Sequence, residues 1–180
     1  MGPVFADRVD AGRQVAAQLA DLGEGSAGEV VVLGLPRGGV PVAAEVASAL
    51  GAPLDVLVVG KVGVPGHEEL ALAAVADDGR VALNPGVIAA VGLSPGEVGE
   101  LARRHAAELA RRAATLRGGR DPVPLDGRTV VVVDDGMATG ATMRVALDVV
   151  RRREPRAVVA AVPVASIDAG AESDFKDAAS

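Results

Sequence analysis

Four short aliphatic runs, separated by helical segments, limit most strongly the folds open to this chain. The runs cover residues 29–35, 54–59, 129–133 and 156–162. Their apolar residues are continuous rather than alternating, which is typical of strands buried on both faces. Strands that alternate with helices form a largely parallel sheet with helices on both sides. We therefore predict a Rossmann-like, mostly parallel α/β fold, in which ligands bind at the carboxyl ends of the strands.

Helical segments and turns account for the rest of the pattern. Apolar spacing predicts helices over residues 7–22, 40–50, 94–116 and 141–153. Asp7 is the expected N-cap of the first helix, and Ser94-Pro95-Gly96-Glu97 has the arrangement of a capping box. Residues 60–85 depart from the alternation. There Gly63–Gly66 indicates a loop, and Asp77-Asp78-Gly79 predicts a hairpin between two short strands.

Composition excludes several classes of function. The net charge of −6 argues against a nucleic-acid surface, which needs a basic footprint. No Cys is present, which excludes disulfides and thiolate metal sites. The first residues lack the apolar core of a signal peptide, and no apolar run approaches the roughly 18 residues of a membrane span. We expect a soluble, cytoplasmic protein without nucleic-acid or membrane partners.

The most informative segment joins the third aliphatic run to the next helix. It reads Val130-Val131-Val132-Val133-Asp134-Asp135-Gly136-Met137-Ala138-Thr139-Gly140-Ala141-Thr142. A buried strand delivers two adjacent carboxylates to its carboxyl end, where they can accept hydrogen bonds from vicinal sugar hydroxyls. Small residues, two Thr hydroxyls and a helix N-terminus follow, and these groups suit a phosphate. The segment therefore predicts a ligand that carries both ribose and phosphate.

This segment resembles the 5-phosphoribosyl-1-pyrophosphate (PRPP) binding signature of type I phosphoribosyltransferases. Four further segments resemble, in the same order, a bacterial subgroup of that family. They are Phe5–Gly12, Leu33–Val40, Lys61–Ala71 and Val162–Ser166. The resemblance implies the type I phosphoribosyltransferase fold, with one core domain over residues 1–166 and a short, disordered tail over residues 167–180.

The resemblance also implies roles at the ribose-phosphate segment. Asp134 and Asp135 would hold the ribose 2′- and 3′-hydroxyls, and residues 136–142 would wrap the 5′-phosphate with backbone N–H groups and two Thr hydroxyls. Mg²⁺ would enter with PRPP, bound through ligand oxygens and water. No direct protein ligand to the metal is expected, although the two acids could assist through water.

A second site is implied at the turn after the first aliphatic run. Arg37 adds a forked cation suited to phosphate oxygens there. By the resemblance, Arg37, Gly38 and Gly39 form the pyrophosphate loop, in which a strained or cis peptide often exposes backbone N–H groups. Lys61 would reach the leaving pyrophosphate, which makes Lys61 and Arg37 the expected catalytic residues. Residues 61–84 would form a flexible loop and hairpin that close over the site.

Three features depart from the pattern of the family. Ala138 stands where purine-salvage members have an Asp that can serve as a base, and Gly60 stands where the subgroup usually has Arg. The chain also has little after Ser166 that could form the C-terminal hood, so we expect a reduced or absent hood. No role is assigned to His67–Glu69 in the closing loop. His105, in mid-helix among Arg residues, is expected at the surface.

These features predict an enzyme, a phosphoribosyltransferase of nucleotide metabolism. It would transfer the 5-phosphoribosyl group from PRPP to an unidentified acceptor that could resemble a nucleobase, releasing pyrophosphate with inversion at the anomeric carbon. A non-catalytic PRPP- or nucleotide-binding regulatory protein on the same fold is the alternative, favoured by Gly60 and the short C-terminus. A hydrolase is disfavoured because no nucleophile stands at a strand–turn–helix elbow. By analogy we expect a homodimer or higher oligomer.

Overall fold

Strands and helices alternate along the chain as the sequence predicts. The computed structural model describes residues 5–22 and 28–166, and the predicted tail over residues 167–180 lies outside them. The elements follow in the order α1 (Arg8–Gln18), β1 (Val30–Gly34), α2 (Gly39–Leu50), β2 (Leu54–Val56), β3 (Val59–Val64), β4 (His67–Ala76), β5 (Val81–Leu83), α3 (Pro85–Val91), α4 (Pro95–Arg117), β6 (Thr129–Val133), α5 (Ala141–Arg151) and β7 (Ala157–Ala161). Within the described ranges, none of the helices is long and apolar enough to cross a membrane.

Four strands form the central sheet, and all of its pairings are parallel. Their order is β2-β1-β6-β7. The two inner strands run in register from Val30 opposite Thr129 to Gly34 opposite Val133. Every residue of both inner strands is buried, as the continuous aliphatic runs predict. The mostly parallel α/β fold is therefore confirmed.

The inner strands divide the core into two layers, because successive side chains point to opposite faces. Val30 and Val32 of β1 pack with α1 and α2 on one face. Val31 and Leu33 pack with α5 on the other. The buried apolar residues of the described chain include no aromatic ring. The core therefore depends on many aliphatic side chains, each of which contributes about 1.5–3 kcal/mol when fully buried.

A second, antiparallel sheet lies beside the first. Its strand order is β3-β4-β5, and its apolar face packs against α4, where Leu72 and Val75 meet Val98 and Leu109. The predicted capping box begins α4, because the side chain of Ser94 accepts from the Glu97 amide while Glu97 accepts from the Ser94 amide. This layer extends the domain on the side of β2.

The structure corrects the single strand predicted over residues 54–59. The strand ends at Val56, and the chain resumes as β3 in the second sheet. Leu57 belongs to the core beneath α5, whereas Val58 belongs to the core beneath α4. The aliphatic run is continuous because it passes between two cores, not because it forms one strand.

Residues 63–91 differ from the prediction in two further respects. The loop predicted at Gly63–Gly66 is shorter, since Val64 still belongs to β3 and β4 begins at His67. The helix α3 was not predicted. Its start nevertheless has a local sequence signal, because the Asn84 side chain accepts from Val87 N and Pro85 occupies the first turn.

Arg117, at the end of α4, lies at the centre of a buried ionic network that joins the two sheets. Its Nε donates to Asp55 Oδ1 at 2.8 Å, and its Nη1 lies 2.7 Å from Asp77 Oδ2. Its Nη2 donates to the carbonyl of Val56 at 2.8 Å. Arg153, which follows α5, brings its Nη2 within 3.6 Å of Asp77 Oδ1. We call these five residues the arginine network.

Arg117→Met should lower the free energy of unfolding by roughly 3–5 kcal/mol, because it leaves two buried carboxylates without their main partner. Arg103→Met is the matched control on the same helix. It removes a pair with Glu100 in which the Arg side chain is 71% exposed, and should cost at most about 1 kcal/mol. Urea denaturation followed by far-UV circular dichroism measures both. Equal losses in the two variants would contradict the role given to the network.

Candidate functional site

The carboxyl ends of β1 and β6 lie side by side at the centre of the sheet. From β1 the chain returns to one edge through α2, and from β6 it returns to the other edge through α5. A sheet opens a crevice where its connections diverge in this way. Neither α2 nor α5 has a side-chain cap at its N-terminus. In α2, Gly39 N already donates to the Leu35 carbonyl and Val40 N to the Arg37 carbonyl, and Pro41 has no N–H. Among the described residues, the N-terminus of α5 is therefore the one whose N–H groups suit an anion.

The acid pair Asp134 and Asp135 follows directly after β6. The backbone N–H of Asp135 donates to Asp134 Oδ1 at 2.9 Å, and the N–H of Asp134 donates to the carbonyl of Ala161 at 3.2 Å. Burial raises the pKa of the Asp134 carboxyl, and the charge of Asp135 adds to the shift, although the hydrogen bond from the Asp135 amide opposes it. Backbone hydrogen bonds thus hold Asp134 in place, although its carboxyl group has lost part of its contact with water.

A concavity of about 210 Å³ lies beside the acid pair. It is lined by Asp134 and by residues 136–143, at the N-terminus of α5. Gly140 adopts a φ of +70° there, a left-handed conformation that favours glycine. Within the described residues, the backbone N–H groups of Ala138, Thr139 and Gly140 donate no hydrogen bond. The concavity therefore offers open donors, as a phosphate requires.

The wall of this concavity is held by residues 164–166. Met137 N donates to the carbonyl of Val164 at 2.8 Å, and Ser166 N donates to the carbonyl of Met137 at 2.9 Å. The Ser166 hydroxyl also donates to the carbonyl of Ala138. Sequence reasoning placed this segment in the resemblance but gave it no role. Its role is to fix the backbone that carries the open N–H groups.

The turn after β1 lies directly against the acid pair. A Cβ on Gly39 would come within 2.6 Å of the Val133 carbonyl oxygen and 2.8 Å of Asp134 Cα, and one on Gly38 within 2.0 Å of Asp135 Oδ2. Position 39 therefore requires glycine, and a side chain at position 38 would displace the Asp135 carboxylate. The peptide bond between Pro36 and Arg37 is cis, as the resemblance leads one to expect, and the Arg37 side chain is exposed.

Arg8 is a site residue that sequence reasoning missed. Its Nε and Nη2 both donate to Asp135 Oδ2, at 2.9 and 2.7 Å. Arg8 lies at the start of α1, within the Phe5–Gly12 segment that carries part of the resemblance. The contact joins residues 127 positions apart, so no local pattern could show it.

Lys61 lies apart from this cluster. It is exposed on β3 and does not line the concavity beside Asp134. It lines two other surface depressions, one with α5 residues and one with α4 residues. The structure therefore brings together the residues expected to bind ribose and phosphates, whereas the role of Lys61 stays a prediction.

The expectation for His105 changes with the structure. Its side chain is half-buried and packs over Gly60, where a Cβ would come within 2.5 Å of Nε2. The absence of a side chain at position 60 therefore makes room for His105. His67 and Glu68 are exposed near the turn between β3 and β4.

Among the described residues, the acid pair has no third ligand with which to enclose a metal ion. Residues 5–22 and 28–166 contain no group of three or more His, Asp or Glu side chains arranged to bind a metal. No described residue donates to Asp134 Oδ2 or Asp135 Oδ1. Mg²⁺ commonly takes one or two carboxylates together with phosphate oxygens and water. The two acids therefore fit a Mg²⁺ ion held mainly by ligand oxygens and water, which they would contact through water.

The fold and the site define a class. The sheet is doubly wound, with an acid pair and the N-terminus of α5 at its switch point, which is the place where α/β proteins of this class bind ligands. The family model for the phosphoribosyl transferase domain matches residues 6–179. The chain therefore belongs to the phosphoribosyl transferase domain family.

Individual relatives agree with this assignment. Proteins from two strains of Mycobacterium tuberculosis, both named "Putative phosphoribosyl transferase", are 52% identical over 165 residues, which are 92% of this chain and 37% of each relative. TT1426 from Thermus thermophilus is 48% identical with a TM-score of 0.79, over 93% of this chain and 78% of that one. A purine phosphoribosyltransferase from Pyrococcus horikoshii shares the fold at 19% identity and a TM-score of 0.53, over 97% and 85% of the two chains.

Gly39→Ala should destabilise the protein by about 1–3 kcal/mol, because its methyl group meets backbone atoms that cannot move aside. Gly96→Ala is the matched control in the first turn of another helix. Its methyl group would lie 3.9 Å from the nearest atom, Ser94 Oγ, and should stabilise by about 0.4–1 kcal/mol. Thermal unfolding by circular dichroism distinguishes the two. A neutral Gly39→Ala variant would refute the tight packing described here.

Asp134→Asn should raise the melting temperature at pH 7. The folded-state pKa of Asp134 is raised, so the native protein binds this proton more tightly than the unfolded chain, and ionisation costs stability as the pH rises through the folded pKa. Asn never ionises. The advantage of the variant should therefore shrink as the pH falls toward the ordinary Asp pKa of about 3.9. Asp148→Asn, exposed on α5, is the control and should show no such trend. Lower stability of Asp134→Asn at pH 7 would contradict the shift.

Proposed function

We propose that this chain is the PRPP-binding part of a phosphoribosyltransferase. The observation that supports the proposal most strongly is the concavity in which Asp134 adjoins open N–H groups, with Asp135 next to it in the chain. Carboxylates accept from sugar hydroxyls but repel phosphate, whereas N–H groups at a helix N-terminus attract phosphate. Only a ligand with both groups close together satisfies both halves of the site. Ribose 5-phosphate has this arrangement.

The glycine turn supplies the second half of PRPP recognition. Gly38 lies against Asp135, which places the N-terminus of α2 next to the acid that would hold the ribose. Pyrophosphate departing from the anomeric carbon would gather negative charge there. The positive end of the α2 dipole and the Arg37 guanidinium would stabilise such charge, while the ribose carbon becomes oxocarbenium-like. We assign Arg37 to this role, and Lys61 to the same charge once the β3–β4 segment closes.

Mg²⁺ fits the proposal as a partner of the substrate. Bound mainly to PRPP oxygens and water, it would neutralise part of the pyrophosphate charge. Asp134 and Asp135 orient the ribose and could contact metal-bound water. The chain itself holds the ribose in place and excludes water that would hydrolyse PRPP.

The acceptor is a separate question. The chain spans 37% of the length of the curated Mycobacterium relatives it matches. Ala138 has no ionisable group, so an acceptor that requires a base must find it elsewhere. A small nucleobase-like heterocycle as acceptor and a homodimeric assembly both stay predictions.

A regulatory protein that binds PRPP without turnover is the second candidate. The observation that favours it is the position of Lys61, which lies outside the concavity of the acid pair. The packing of His105 over Gly60 also leaves no space there for the Arg that is usual in the subgroup. Both features concern the leaving group and not the ribose.

Replacing both acids, in Asp134→Asn/Asp135→Asn, should weaken binding of PRPP with Mg²⁺ at least about 100-fold. Each carboxylate hydrogen bond contributes about 1.5–3 kcal/mol, and 1.4 kcal/mol corresponds to tenfold in affinity. Isothermal titration calorimetry measures the change, and Asp148→Asn on the exposed face of α5 should bind as the wild type does. Unchanged affinity of the double variant would refute the site.

Turnover separates the two candidates. A transferase should release pyrophosphate from PRPP when a panel of nucleobases and small heterocycles is offered, and Arg37→Gln should slow that release by about 10- to 1,000-fold. The continuous pyrophosphate assay needs a control without acceptor, which measures hydrolysis. Efficient release with one acceptor refutes the regulator, whereas binding without release across the panel supports it.

A further inference from the structure

We propose that Arg8 is a positioning residue, which presents the carboxylate of Asp135 so that one oxygen remains for a single ribose hydroxyl. The inference rests on the proposed function, because it concerns the same acid pair. Both donors of Arg8 converge on Oδ2, and none of the described residues donates to Oδ1. The fork thus occupies one oxygen and leaves the other.

The same division holds for the neighbouring acid. Asp134 Oδ1 accepts the backbone N–H of Asp135 at 2.9 Å, and Oδ2 receives no donor from the part of the chain that is described. Each acid therefore has one oxygen that accepts from the protein and one that accepts from none of the described residues. A vicinal diol presents two hydroxyls, each with one proton to donate. The number of open acceptors matches the number of hydroxyls.

Asp135 is held from two sides. A Cβ built on Gly38 would come within 2.5 Å of both carboxylate oxygens, so the carboxyl group lies flat against the glycine turn. Arg8 contacts it from α1. Gly38 leaves space for the carboxylate in this orientation but makes no bond to it. The two hydrogen bonds from Arg8 hold the carboxylate in that orientation.

The helix that carries Arg8 is itself fixed. The Asp7 side chain caps α1 by accepting from Val9 N and Asp10 N, both at 2.9 Å. One turn further, a Cβ on Gly12 would come within 2.8 Å of the Val42 carbonyl oxygen, so α1 packs closely on α2. α2 is the helix that begins at the glycine turn. Arg8 and the turn therefore belong to one packed unit.

Stability is not the main effect of the pair. The Arg8 side chain is 60% exposed and that of Asp135 is 32% exposed, and ion pairs this open contribute little to folding. The larger effect of Arg8 is on the orientation of the Asp135 carboxylate, which accepts from ribose hydroxyls and not from a phosphate.

The test compares ribose 5-phosphate with inorganic pyrophosphate as calorimetric probes, each with Mg²⁺. Arg8→Met should weaken ribose 5-phosphate at least about tenfold, as expected for a misplaced charged hydrogen bond, and should leave pyrophosphate unchanged. Arg8→Lys keeps the positive charge but lacks the forked pair of donors. Its affinity for ribose 5-phosphate should therefore fall between those of the wild type and Arg8→Met. In the Asp135→Asn background, Arg8→Met should have little further effect, because the two residues act through the same oxygen.

Arg13→Met is the matched control, since Arg13 lies one turn along α1 and pairs with Glu45 at the surface. Equal loss of pyrophosphate binding in Arg8→Met would overturn the inference, because Arg8 would then contact the anion itself. Tighter or unchanged binding of ribose 5-phosphate by Arg8→Met would overturn it too. Both of these outcomes assume that the wild type binds ribose 5-phosphate. A wild type that binds neither ribose 5-phosphate nor PRPP would instead refute the proposed function, and this inference with it.

Discussion

The arginine network holds the two sheets together and fixes where the antiparallel sheet lies relative to the crevice. Arg117 lies between Asp55 at the end of the parallel sheet and Asp77 in the turn of the antiparallel one. Asp55 also accepts from Val123 N through its second oxygen, which fixes the connection from α4 to β6. Removing one partner of a buried ion pair lowers stability strongly, whereas replacing the whole set by apolar residues is often neutral. The network therefore acts mainly by specifying one arrangement of the two sheets. Here the arrangement sets where β3 and Lys61 lie relative to the crevice.

The crevice itself follows from a second constraint, the close approach of two turns. The in-register pairing of β1 and β6 brings Gly34 opposite Val133. The turns that follow can meet only because Gly38 and Gly39 carry no Cβ. Backbone packing, rather than any long side chain, thus brings the N-termini of α2 and α5 to one crevice. The side chains of the site are arranged on this backbone: the acid pair lies between the two helices, and Arg8 contacts it from α1.

Local signals predicted much of this architecture. The run Thr129–Val133 was predicted and found with the same ends, and the capping box at Ser94 begins α4 as expected. Such features can be predicted because the residues that determine a buried strand or a helix cap are close together in the sequence. The acid pair and glycine turn were recognised for the same reason. Contacts between distant positions left no such signal: Arg117 and Asp55 are 62 residues apart, and Arg8 and Asp135 are 127 apart. The division of residues 54–64 between two sheets was missed because both cores require aliphatic residues.

The absence of side chains at Gly38 and Gly39 has a consequence for how such a site can diverge. A mutation that adds a methyl group at either position meets an acid of the pair or its backbone, so the two turns cannot change independently. A change of specificity must therefore arise outside this contact, in segments such as β3–β5. The shared glycine surface couples the two halves of the crevice, while the segments around it can change without disturbing that contact.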